Sequence, residues 1–280
     1  MISEGFERCS PIGSYYEQLR RGATADWQGV RACAEKEKND AVLMMLYANG
    51  LGVGRDLDRA IAHACRVDGA AMETKYRVEH LLAMKAGKDS KRFDLCDDIT
   101  SGYMGGFCAR ITEEAHGRQR DTRYATIEKA LTAAQRPSYD RLRKATTAFA
   151  KHVGNDETDL SGTARAAFAI EATAAVEDQL LDDLRTADKG ELPKAVDVAR
   201  ADAALNAAYR KLMALPANEK GEVGDGTVTK DGIRATQRSW IAYRDAWVAF
   251  ARLRYPSVPA AAWQTRLTDR RTDELKGWLP

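Results

Sequence analysis

Apolar and small residues recur every three to four positions along most of the chain, and no stretch of strand length alternates with the period of two that marks a half-buried β-strand. The pattern predicts an all-α fold. It is clearest over 231–254, where Trp240, Tyr243, Trp247 and Phe250 fall at i, i+3, i+7 and i+10, one face of a helix and hence a core stripe. Gln237 and Arg244 lie beside that stripe. An arginine drawn toward the interior needs a carboxylate, and Asp202, Asp245 and Asp269 are the candidates. Further helices are predicted over 138–153, 161–188, 193–215 and 259–278, with Ser161 or Thr163 capping the second and Pro193 in the first turn of the third. Residues 216–232 carry four glycines and one proline and must be a loop, longer than a helix connection needs and so either functional or mobile.

Nearer the N-terminus, residues 39–68 place apolar residues at helical spacing on both sides of a break at Gly50, Gly52 and Gly54. This predicts a helix, a turn and a second helix, with Asp56 capping the latter. No strand precedes the glycines and no Lys-Ser or Lys-Thr follows them, which argues against a phosphate loop. Asp26, Asp58 and Asp89 each stand seven residues before Cys33, Cys65 and Cys96, and the cysteine intervals are 32 and 31 residues. Periods of that size arise from stacked helical pairs, so three hairpins are expected. The organisation read from these patterns is a repeat module over 1–117, a connecting helix over 118–137 that stops before Pro137, and a helical-bundle domain over 138–280.

Composition narrows the function classes. The chain has 280 residues with 43 Lys plus Arg against 41 Asp plus Glu, and a net charge of +2 exerts no general pull on nucleic acid or anionic lipid. No run of 18 or more apolar residues offers a membrane span, and the first 20 residues lack the order of a signal peptide. All five cysteines (Cys9, Cys33, Cys65, Cys96, Cys108) precede residue 109. Such clustering fits disulfides in an oxidising compartment, and the expectation is a periplasmic or secreted protein whose signal has been removed; free buried thiols in a cytosolic helical domain are the alternative. Cys96 with Cys108 is the easier pairing, because Gly102, Gly105 and Gly106 let the intervening chain fold back. Cys33 with Cys65 comes second and leaves Cys9 odd.

Catalytic chemistry is hard to find. His63, His80, His116 and His152 are scattered without metal-ligand spacing, and neither HExxH, CxxC nor GxSxG occurs. Neither catalytic residues, a metal nor a cofactor is expected. Adjacent acids such as Glu113 and Glu114, or Asp182 and Asp183, belong to helical charge patterns.

Two resemblances supply what the chemistry does not. Leu46, Tyr47, Gly50, Gly52, Val53, Asp56, Ala60 and Ile61 resemble a Sel-one-like repeat, a tetratricopeptide-like hairpin that implies protein binding or a spacer role. Farther on, Asp202, Leu205, Asn206, Tyr209 and Leu212, then Gln237, Trp240, Ile241, Tyr243, Arg244 and Asp245, then Leu267, Thr268, Arg271, Thr272 and Leu275 resemble the LprI-type lysozyme-inhibitor domain over about residues 200–279. Members of that family usually carry cysteines near the YRD helix, where this chain has none. The resemblance implies an exported protein that binds a peptidoglycan hydrolase or a lysozyme-like effector, including an immunity role against a toxin from a neighbouring cell. A lysozyme-like cleft holds two acids, so the expected contacts are cations and a tyrosine on loops: Lys220, Lys230 and Arg234 at one, Arg252, Arg254 and Tyr255 at the next. Gln237, Trp240, Tyr243, Arg244, Asp245 and Arg271 are expected to be scaffold. A cell-envelope scaffold using the concave face of residues 10–110 is the alternative, with an enzyme a weaker third.

Overall fold

The computed structural model describes residues 9–224 and 226–279. Eleven α-helices make up the described chain, with no β-strand beyond two isolated bridges, so the fold is all-α. It divides into two compact units, one up to Cys108 and one from Ala109.

The first unit contains α1 (Pro11–Arg21), α2 (Trp27–Lys36), α3 (Asp40–Asn49), α4 (Leu57–Ala64) and α5 (Ala71–Lys85). Its centre is α3, in which every residue from Val42 to Ala48 is buried; a helix apolar all round must be wrapped on all sides. Asp26, Asn39 and Asp56 cap α2, α3 and α4 through their side chains. Gly50 ends α3 in the left-handed conformation. Gly52 is also left-handed, and a Cβ there would stand 2.6 Å from the Trp27 carbonyl oxygen, so the turn between α3 and α4 rests directly on α2.

The expected third hairpin is absent. Residues 86–101 contain no helix, and Cys96 lies in a turn. Asn49 holds this segment by two hydrogen bonds: its Nδ2 donates to the Phe93 carbonyl at 2.8 Å, and its Oδ1 accepts from the Phe93 amide at 2.9 Å. Phe93 is fully buried beneath. The Cys96–Cys108 bridge forms, with Cα atoms 5.8 Å apart. Cys33, however, pairs with Cys9 and not with Cys65. It faces inward from α2 toward the chain before α1, whereas Cys65 is exposed at the end of α4 and is a free thiol.

The connecting helix is longer and begins earlier than the 118–137 expected: α6 spans Gly102–Lys129, and the division between the units falls within it. Then follow α7 (Arg136–Asp156), α8 (Arg165–Asp188), α9 (Val198–Ala214), α10 (Lys230–Arg254) and α11 (Ala260–Lys276). Within the second unit α10 packs on α7 and α11, α7 on α8, and α9 on α11. Gly154 sets the α7–α8 crossing, because a Cβ there would lie 2.1 Å from Thr173 Oγ1 and 2.7 Å from the Ala169 carbonyl oxygen. Neither Ser161 nor Thr163 caps α8. Ala164 occupies that position without a side-chain bond, and Ser161 turns instead to Asp159. Pro193 also lies outside a helix, in a segment over 191–197 that ends at Asp197, the cap of α9, whose amide donates to Thr265 on α11.

Candidate functional site

The aromatic stripe of α10 is core. Trp240, Tyr243, Trp247 and Phe250 are each at most 4% exposed. Trp247 stacks on Trp263 of α11 with ring centroids 4.8 Å apart, and Tyr243 stacks on Phe149 of α7 at 5.4 Å.

Below the stripe sits a buried polar hub. The Arg271 guanidinium, 2% exposed, donates from Nε to Gln237 Oε1 at 3.0 Å, from Nη1 to Glu274 at 3.0 Å and from Nη2 to Glu157 at 2.8 Å. Burial pushes the Glu157 carboxyl above its ordinary value, against the pull of Arg271. Glu157 follows α7 and escaped the sequence reading, since nothing local marks a partner 114 residues away. Arg244 pairs with Asp245 at 2.9 Å and more loosely with Asp202 at 3.8 Å. Asp269, the third candidate, holds Arg200 instead.

The loop candidates separate into two groups. The described residues of the loop, 215–224 and 226–229, are held in place: bridges join Ala217 to Val223 and Glu222 to Thr229, and Val228 is buried at its base. Asp159 ties it to the α7–α8 connection, accepting from the Ser161 and Thr227 amides at 3.0 and 3.1 Å, bonds that hold its carboxyl below the ordinary value. Lys220 is exposed and Lys230 half-exposed, and neither makes an ion pair among the described residues; Arg234 is exposed and pairs with Asp231. At the other loop, Arg252 is exposed, but Arg254 is held by Asp188 at 3.2 Å. Tyr255 is a correction. It is 8% exposed, packs its ring on Trp247 and Trp263, and donates its hydroxyl to Asp188 at 2.9 Å, so it is not available as a surface anchor. The two groups are not brought together, because the 25-residue α10 separates them, which at 1.5 Å per residue is roughly 35 Å.

Between the loop and the middle of α10 runs a groove. α9 and α10 both pack on α11 but not closely on one another, which leaves a cleft of about 440 Å³. Leu205 and Trp240 line it with Asn206, Tyr209, Gln237, Arg238, Ile241 and Arg244. Leu205, Asn206 and Tyr209 on one side and Gln237, Trp240, Ile241 and Arg244 on the other are residues that carry the LprI resemblance.

Residues 195–275 match the family model described as Lysozyme inhibitor LprI. The LprI-matched segment therefore takes in α9, the loop after it, α10 and nearly all of α11, but leaves out Phe149 on α7 and Glu157 just after that helix. No curated protein and no solved structure matches the chain. Among the described residues no helix is long and apolar enough to cross a membrane, and no group of three or more His, Cys, Asp or Glu is placed to hold a metal ion.

Proposed function

We propose that the protein is an inhibitor or immunity protein that binds and blocks a peptidoglycan-degrading, lysozyme-like enzyme in the periplasm or outside the cell. The observation that carries this is the LprI match over 195–275. Within that segment the motif residues Trp240, Tyr243 and Arg271 are buried and hold the helices, while the loop candidates Lys220, Lys230 and Arg234 stand free of the core at and before one end of α10. Cations suit a partner whose cleft holds two acids. The two disulfides support an oxidising compartment. The protein acts by binding and not by catalysis, and the α3–α4 hairpin of the first unit gives a second surface for partner choice.

The test is cell-wall turbidity with c-type, g-type and phage-type lysozymes, with and without the purified chain. Slower clearing by at least one enzyme at submicromolar protein is expected. Unchanged clearing by all three refutes inhibition, and clearing by the chain alone points to an enzyme.

A further inference from the structure

We infer that the α9–α10 groove, with the adjoining ridge of α10, is the surface that engages the partner, and that Arg238 meets a carboxylate of the partner's acidic cleft. This rests on the inhibitor function proposed above and adds the site.

The charges around the groove are unevenly matched. Arg234 is paired with Asp231, and Arg244 with Asp245 and Asp202. Arg238 is exposed and has no ion pair among the described residues. A planar guanidinium with five donors, left open to solvent on a rigid helix, suits bidentate capture of a carboxylate. Beside it on the same face, one turn away, Ile241 is 41% exposed, and Tyr209 reaches the groove from α9 half-exposed. An arginine beside an aliphatic side chain and a tyrosine is the composition of an interface centre, not of a solvated charged face.

Shape points to the same partner. Arg238 and Ile241 stand on the α10 wall of the groove, a helix ridge along its edge. An enzyme cleft bordered by a lip is the complement of a ridge bordered by a groove: the ridge enters the cleft, where the acids lie, and the lip settles between α9 and α10. Retaining and inverting glycosidases alike place two acids in that cleft, which gives Arg238 its counter-charge. At the far end of α10 Arg252 and Leu253 are exposed as well, but the tyrosine there, Tyr255, is buried and, with Arg254, held by Asp188.

The experiment uses the full chain against whichever of the three lysozymes it inhibits. Arg238→Glu and Ile241→Asp are expected to raise the half-inhibitory concentration at least tenfold with unchanged thermal melting, as both side chains are exposed. Lys189→Glu, a charge reversal on an exposed residue after α8, is expected to leave inhibition as in the wild type. Wild-type inhibition by Arg238→Glu overturns the groove while the inhibitor function stands. Equal losses in Arg238→Glu and Lys189→Glu overturn it too, by showing diffuse charge attraction. A wild-type dimer that Ile241→Asp converts to monomer, without loss of inhibition, assigns the groove to a second copy of the chain. A wild-type chain that slows none of the three lysozymes removes the inhibitor function and the groove together.

Discussion

Replacing Arg271 by Met leaves Glu157 alone in the core, and the cost of that change depends on pH in a direction the structure fixes. The two side chains are 2% and 3% exposed and 2.8 Å apart, so the pair is broken where water cannot replace the lost partner. Removing one member of such a pair costs about 3–5 kcal/mol. Glu157 escapes part of this by taking up a proton. Its folded carboxyl already titrates above the ordinary 4.5, through burial, and losing Arg271 raises it further because burial and Glu274 both act in that direction. A group whose folded pKa is raised is worth most below its unfolded value, and its contribution is lost as pH rises through the folded one. Within that window each pH unit adds about 1.4 kcal/mol. Urea unfolding of wild type and Arg271→Met at pH 5, 6, 7 and 8 is therefore expected to give a destabilisation that is smallest at pH 5 and grows toward pH 8. Adding Glu157→Gln to Arg271→Met should flatten the dependence. A loss that is the same at all four pH values, or that shrinks as pH rises, would refute the assignment of a buried, uncompensated carboxylate.

Three other outcomes are expected. Val228→Ala should destabilise by roughly 2 kcal/mol, the transfer of two buried methyl groups plus a small cavity, read as a lower urea midpoint; an unchanged midpoint would mean that the loop base is not packed. Alkylation of the denatured, unreduced chain followed by peptide mass mapping should label Cys65 alone, and removing the Cys96–Cys108 bridge should cost about 3 kcal/mol; label on Cys9 or Cys33 would overturn their pairing.

What was legible in the sequence was whatever a helix writes locally. The stripe from Trp240 to Phe250 is buried as its spacing requires, and Gly50 and Asp56 bound their helices through contacts three or four residues away. Long-range choices were not legible. The repeated Asp-to-Cys spacing offers one or two positions per unit, too few to impose a helix, and at 86–101 Asn49 takes the backbone of Phe93 in a different arrangement. The pairing of Cys33 turns on which way α2 faces. Glycine content made 216–232 read as a loop either functional or mobile, and it does not show that Val228 buries itself or that Asp159 clasps Thr227 from another connection. Tyr255 stands just after α10 and reads as surface, but the neighbouring indoles and Asp188 capture it. For the same reason the groove could not be seen in advance: it exists because α9 and α10 share a neighbour and not an interface.

The contact between Arg271 and Glu157 also separates two meanings of the word domain. The stretch recognisable by its sequence begins at residue 195, whereas the stretch that can close its own interior has to include α7, since Glu157 neutralises Arg271 and Phe149 covers the face of Tyr243. A fragment cut at the sequence boundary would carry a buried cation and an open aromatic face into solution. Anyone moving this segment onto another protein should cut before Arg136, so that the graft carries its own counter-ion.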